Sequence, residues 1–414
     1  MMNVDNLNIE KDILPLFDST LNYNSRLALI DFLKNKPKNI EEVTYRQEII
    51  KSFINQLPDK KVYNYSKTEY NEVYQKLKDI EPKNHLKIKF HAATKLNLQS
   101  NLMQIYIFLN KIYTFLKSLD IEIFPSEFHL LLESMIKTLR DIKTEETYLS
   151  IRNNKFKNKQ IIEVNELILN NKKNLNYFYD ALHLFEVYLS ISQKAIKNQF
   201  TFPKISLNNE IELVNFYFPL LKNPVKNNFK TSKKVIVLTG ANMSGKSTFF
   251  RAIAFCNYMG NLGLPVPCDT ATIPFYQTIS INIDHKDNVL KGYSHFMNEI
   301  INLKNYLING KNGKNGFAVF DELFSGTNSV DAINLLTKTI NGLKHFQNSL
   351  TFISTHYYEI QEKIEHLTEV DFLHLECIIE NNTPKYTYKI KQGWSDIKVG
   401  QLIFENEGLD DLLK

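Results

Sequence analysis

The sequence predicts a multidomain chain: an all-helical first half followed by an α/β domain. Three observations predict it. The 414 residues hold only 13 glycines, the first of them Gly240, where average usage would place about 29. Apolar residues before that point recur at helical spacing. After about residue 235, short apolar runs alternate with helical stretches, the pattern of buried strands in a mostly parallel sheet.

A stretch without glycine can supply few tight turns with positive φ, so a sandwich or barrel in the first half is disfavoured. Leu27, Ile30, Phe32 and Leu33 form one apolar face, and Pro37 stops that helix. A second helix starts near Ile40, with Val43, Gln47, Ile50 and Phe53 on one side. Residues 68–80 read as helix up to Pro82. Residues 94–119 carry Leu102, Ile105, Phe108, Leu109, Ile112 and Phe115 at steps of three and four. Residues 126–150 and 158–198 continue the pattern, the latter with Leu175, Phe178, Leu182, Phe185 and Leu189. Pro203, Pro219 and Pro224 mark an irregular connection. Strands are expected at Val235–Thr239, 279–283, 317–320 and Leu350–Ser354, with edge strands at 372–379 and 386–390.

Composition excludes several classes. No apolar run reaches the roughly 18–20 residues of a membrane span. The polar start MMNVDNLNIEKD does not read as a signal peptide. Cys256, Cys268 and Cys377 show no CxxC spacing, which argues against a disulfide framework or a cysteine zinc site and for a reducing, cytoplasmic setting. The net charge of +5 permits nucleic-acid binding without requiring it. Lys155, Lys157, Lys159, Lys172 and Lys173 form a basic stretch suited to a phosphate backbone or to a solvated helix face.

Gly240-Ala241-Asn242-Met243-Ser244-Gly245-Lys246-Ser247 fits GxxxxGK[ST]. It follows the apolar run Val235–Thr239 and precedes the helical run 248–258, which opens with Thr248. A strand turning sharply into a helix converges backbone N–H groups on an anion. Gly240 and Gly245 let the main chain wrap phosphates, Lys246 would neutralise the β- and γ-phosphates of ATP, and Ser247 would ligate Mg2+.

Residues 317–320 end in Asp321 and Glu322. A parallel strand beside the phosphate loop delivers both to the ligand-binding edge of the sheet. Asp321 would hold Mg2+, and Glu322 would polarise the attacking water as general base. His356, after the run Leu350–Ser354, is placed to contact the γ-phosphate or that water. Ser294 stands at the start of a helical run, as a simple cap or as a phosphate donor. If that phosphate sits on another subunit, hydrolysis needs a dimer.

Together these segments resemble the MutS family of DNA mismatch-repair ATPases, within the wider ABC ATPase class. Residues 239–248 resemble its phosphate loop, including the Asn242-Met243 pair. Residues 321–331 resemble its Walker B stretch and D-loop, with Gly326, Thr327 and Asp331 in register. Residues 354–359 are similar to its Thr-His switch, and 292–299 to its trans-acting signature with Ser294 as the serine. Tyr388, Lys389 and Gly393 look like its last strand and turn. The resemblance is strong over 217–409 and moderate over 19–57. It implies Phe229 as a candidate adenine-stacking residue, a helical core or lever over 1–200, a connector over 201–230, and an ABC-type P-loop ATPase domain over 231–414. No mismatch-reading domain, Phe-Xaa-Glu wedge or β-rich connector is found.

The resemblance implies an ATP-binding and ATP-hydrolysing protein that uses Mg2+, associates with DNA and acts as an ATP-sandwich homodimer. The alternative expectation is a nucleotide-dependent protein-interaction module without direct mismatch recognition.

Overall fold

The computed structural model describes residues 2–3, 7–57, 63–80, 92–241, 243–283, 295–395 and 399–413. The chain forms two compact units, one of residues 14–35 and 45–197, the other of residues 1–13, 36–44 and 198–414.

The first unit is helical. Its elements are α1 (Leu14–Phe17), α2 (Tyr23–Lys34), most of α3 (Ile40–Gln56), α4 (Lys67–Asp79), α5 (Ala92–Ser118), α6 (Ser126–Asp141), α7 (Thr144–Arg152), α8 (Asn158–Asn170) and α9 (Lys172–Asn198). Local chemistry starts and stops them. Asn22 and Ser66 cap α2 and α4 by accepting from the N–H groups of Ser25 and Glu69. The stripe at 126–150 is two helices, because Lys143 takes a left-handed conformation (φ 54°) and Thr144 Oγ1 donates to Leu139 O at 2.6 Å. The stripe at 158–198 is also two, broken at Asn171, whose side chain donates to Leu167 O at 2.9 Å. Neither break contains a glycine or proline, so periodicity runs straight through both. The predicted stripes face inward: Leu102, Ile105, Phe108, Leu182 and Phe185 are fully buried. Phe53 packs edge-on to Phe124, Phe128 and Phe185.

The second unit holds two sheets. Its strands are β1 (Met2–Asn3), β2 (Lys204–Ser206), β3 (Ile211–Phe216), β4 (Asn227–Thr231), β5 (Val235–Thr239), β6 (Thr270–Pro274), β7 (Thr278–Asn282), β8 (Gly316–Phe320), β9 (Leu350–Ser354), β10 (Val370–Glu380) and β11 (Thr383–Gln392). Helices α10 (Lys246–Leu262), α11 (His295–Lys311), α12 (Ser329–Leu343), α13 (Gln361–Ile364), α14 (Val399–Asn406) and α15 (Leu409–Leu412) complete it. The larger sheet runs β1-β7-β8-β9-β5-β10-β11, parallel except for the β10–β11 pair. Every residue of β5, β8 and β9 is buried, which explains their unbroken apolar runs.

Two sequence expectations change. β10 is an interior strand, paired in parallel with β5 from Val370↔Val235 to His374↔Thr239, and only β11 lies at that edge. Beyond β5 it continues into a hairpin whose turn residues Asn381 and Asn382 have φ of 51° and 60°. That double role gives β10 the alternating pattern of an edge. The stretch around Pro203, Pro219 and Pro224 is not irregular throughout. It supplies β2, β3 and β4, which join β6 in a four-stranded sheet ordered β2-β6-β3-β4. β2 and β4 are short and polar, and the partner β6 lies far along the chain. Among the described residues no helix is long and apolar enough to cross a membrane.

Candidate functional site

Strand order assembles the site. β9 lies between β5 and β8, so the segments leaving the C-terminal ends of all three are neighbours. The glycine-rich loop follows β5, Asp321 and Glu322 follow β8, and Thr355 and His356 follow β9. Backbone bonds join neighbouring ends: Thr355 N–H donates to Leu238 O of β5 at 3.2 Å, and Asp321 N–H to Asn282 O of the flanking β7 at 2.9 Å.

The loop depends on its glycines. Gly240 (φ 142°) and Gly245 (φ 98°) occupy backbone regions that disfavour side chains, and Met243 (φ 69°) shares the left-handed turn. A Cβ on Gly240 would meet Ser244 Oγ at 2.9 Å. That buried hydroxyl has no hydrogen-bond partner among the described residues. Lys246 begins α10 and is buried, its Nζ donating to Gly240 O at 2.9 Å and Ala241 O at 3.2 Å. Burial pulls its pKa down, while Glu322 and Asp321 pull it up. Among the described residues its hydrogen bonds go to loop carbonyls, and an anion in the cradle would add to the compensation from Glu322 and Asp321. Ala241 is buried and Thr248 half-buried, while Ser247 and Met243 are exposed. Asn242 and Ser294 lie outside the described residues.

Asp321 is buried and Glu322 half-buried. Glu322 has a left-handed φ of 51°, so the chain turns sharply as β8 ends. Ser354, the last residue of β9 and fully buried, donates from Oγ to Asp321 Oδ1 and accepts the Glu322 N–H at 2.7 Å. His356 is exposed, its ring 4.2 Å from that of Tyr357. Among the described residues no group of three or more His, Cys, Asp and Glu could hold a metal. A metal at Asp321 and Ser247 would therefore share its coordination with phosphate oxygens and water.

The segment between β8 and α12 docks on the first turns of α11. Glu299 accepts the Phe324 N–H at 3.0 Å, and a Cβ on Gly326 would stand 3.1 Å from that of Phe296. Burial pushes the Glu299 carboxyl up to about 7, against the pull of the Phe324 N–H. Asn328 caps α12 by accepting from Asp331 N–H at 3.0 Å, and the Asp331 carboxylate accepts from its side chain in return.

Phe229 is buried, its ring 6.4 Å from that of Phe249, which follows the loop residue Thr248. It sits on β4, 5% exposed, with its ring among Phe249 and Phe352. Sequence reasoning missed Tyr388, Ser354 and Glu299, although all three lie inside motifs it singled out. Tyr388 is half-exposed, and its Cδ1 would be 3.1 Å from a Cβ on Gly245.

The family described as MutS domain V matches residues 236–410. The DNA mismatch repair protein MutS of Bacillus subtilis (strain 168) is 30% identical over 229 residues, 53% of this chain and 26% of that protein. The protein of the same name from Listeria monocytogenes serotype 4a is 26% identical over 246 residues, 58% of this chain and 28% of its own length. That of Staphylococcus saprophyticus is 29% identical over 219 residues, 51% and 24%. The chain thus spans about a quarter of the length of these relatives. Residues 236–410 of the chain are thus similar to MutS domain V, an ABC-type ATPase domain.

Proposed function

We propose that this chain binds ATP with Mg2+ at the loop 240–248 and hydrolyses it as a DNA-associated, ATP-sandwich homodimer in a cytoplasmic setting. The observation that carries the reading is the gathering of Lys246, Asp321, Glu322 and His356 at adjacent strand ends. The loop N–H groups and Lys246 hold the phosphates, and Ser247 with Asp321 holds the metal. Bound Mg2+ would neutralise charge on the β- and γ-phosphates. Glu322 accepts a proton from the attacking water, and His356 orients that water or the γ-phosphate. Ser294 of a second copy completes the site in trans. The DNA role rests on the names of the mismatch-repair relatives.

The test is turnover by the purified chain with and without Mg2+, with oligomeric state measured with and without ATP. Duplex, mismatched and branched DNA are each added at two salt concentrations. Salt-sensitive DNA binding and ATP-dependent dimers support the reading. Absence of Mg2+-dependent hydrolysis overturns it.

One observation favours the alternative, a nucleotide-dependent protein-interaction module. Part of the basic stretch is engaged in the fold. Lys172 Nζ donates to Lys78 O at 3.2 Å and Ile80 O at 3.0 Å, and Lys173 lies over the Tyr177 ring. No DNA binding at low salt, with hydrolysis intact, selects this reading.

A further inference from the structure

We propose that Ser354 is a positioning residue for hydrolysis, one hydroxyl that sets both the Asp321 carboxylate and the Glu322 main chain. The proposal rests on the ATPase reading above and deepens it. A serine hydroxyl carries one donor and two acceptor positions. Here the donor goes to Asp321 Oδ1, and one acceptor position takes the Glu322 N–H at 2.7 Å. Both bonds cross from β9 to the end of its neighbour β8.

Each bond answers a local need. Asp321 is 5% exposed, and a buried carboxylate needs donors to fix its rotamer when no cation is present. Glu322 is a non-glycine residue at φ 51°, a conformation that persists only when neighbours enforce it. Its N–H is the anchor, and Ser354 holds that anchor from a strand buried on every residue. The same strand leads through Thr355 to His356. Thr355 N–H is bonded to Leu238 O, and its hydroxyl accepts from Tyr357 N–H at 3.0 Å. One hydroxyl therefore couples the metal-binding acid, the backbone of the general base and the strand that carries the histidine.

The experiment compares the full chain with S354A and S354C. The thiol of S354C keeps the volume but is a weak donor and acceptor. Loss of a group that holds a metal ligand costs about 10–100-fold in metal affinity or activity. S354A is therefore expected to lower kcat by about 10–100-fold and raise half-saturating Mg2+ by about tenfold, with the KM for ATP moved less than about threefold. S354C should fall between S354A and the parent, and it carries the test if S354A fails to fold. A nucleotide-free measurement accompanies them: amide hydrogen exchange across residues 321–325 should quicken in both variants, because the Glu322 anchor is lost or weakened. An active parent with kcat, Mg2+ dependence and exchange unchanged in S354A overturns the assignment. A parent without Mg2+-dependent turnover overturns the ATPase reading instead and takes the role in hydrolysis with it. Exchange then still reports whether the bridge holds the turn.

Discussion

The ring of Tyr388 lies against Gly245, so close that a Cβ on the glycine would stand 3.1 Å from Cδ1 of the tyrosine. Both residues have positive φ, 98° at Gly245 and 57° at Tyr388. Asn227 donates from its side chain to Tyr388 O at 3.0 Å and holds the strand there. A half-exposed aromatic beside the phosphate loop is a flat surface available to a base.

Tyr388→Ala is expected to weaken ATP binding about tenfold, the loss of one stacking contact worth about 1.4 kcal/mol. Thermal stability should change little, because the ring is 46% exposed. Equilibrium titration with a fluorescent ATP analogue checks this. Unchanged affinity would assign the ring to shielding Gly245.

Phe229→Ala is expected to destabilise the second unit by about 3–4 kcal/mol, as buried phenylalanines do when truncated. Its neighbours Phe249 and Phe352 would line the cavity left behind. Phe229→Leu should retain most of the stability and bind ATP like the parent. A large loss of affinity in a folded Phe229→Leu protein would assign it the adenine-stacking role.

Lys246→Ala and Glu322→Gln should separate binding from chemistry. Removing the buried ammonium takes away the loop's only side-chain cation and should reduce ATP binding below detection. Glu322→Gln should bind ATP within about threefold of the parent yet turn over at least about 100-fold more slowly. Binding titrations beside single-turnover hydrolysis report both. Full turnover by Glu322→Gln would remove the residue from the role of base.

Glu299 gives a pH signature. Its folded pKa is raised by burial to about 7 from an ordinary value of 4.5. A raised acid stabilises the fold when protonated, so the contribution is complete below about 4.5 and is lost as pH rises through about 7. Glu299→Gln keeps an acceptor for Phe324 N–H and cannot ionise. Its melting temperature should therefore gain on the parent's as pH rises from about 5 to about 8. Parallel curves would show that burial does not govern this carboxyl.

In the helical unit, Glu186 accepts from Asn22 Nδ2 at 2.7 Å, from the Tyr63 hydroxyl at 2.8 Å and from the Tyr65 hydroxyl. Glu186→Ala takes this acceptor from the buried Tyr63 and Tyr65 hydroxyls, while Asn22 Nδ2 keeps Ser25 Oγ at 2.9 Å, and should cost about 2–3 kcal/mol. A shift of the urea midpoint measures it, and an unchanged midpoint would mean the network contributes nothing net.

Much of this was legible in the sequence because it is local. The loop 240–248, the apolar runs of β5, β8 and β9, and the pair Asp321-Glu322 are read from residues a few positions apart. The helical stripes were equally visible, since one buried face imposes a period near 3.6. Their breaks at Lys143 and Asn171 were not, because a left-handed lysine and an asparagine cap leave the period intact.

The sequence by itself determined a glycine-poor helical half, a phosphate loop on a strand–helix turn, and the residue types for ATP chemistry. The tertiary structure alone decided that β9 lies between β5 and β8 and that β10 is interior. It also put Phe229 in the core, the Tyr388 ring on Gly245, and the Ser354 hydroxyl on both Asp321 and Glu322. The physical reason is range. Periodicity and turn chemistry act over one or two turns of chain, whereas strand order follows from burying whole faces against partners 30 or more residues away, as in the bonds spanning Ser354 to Asp321 and Glu322.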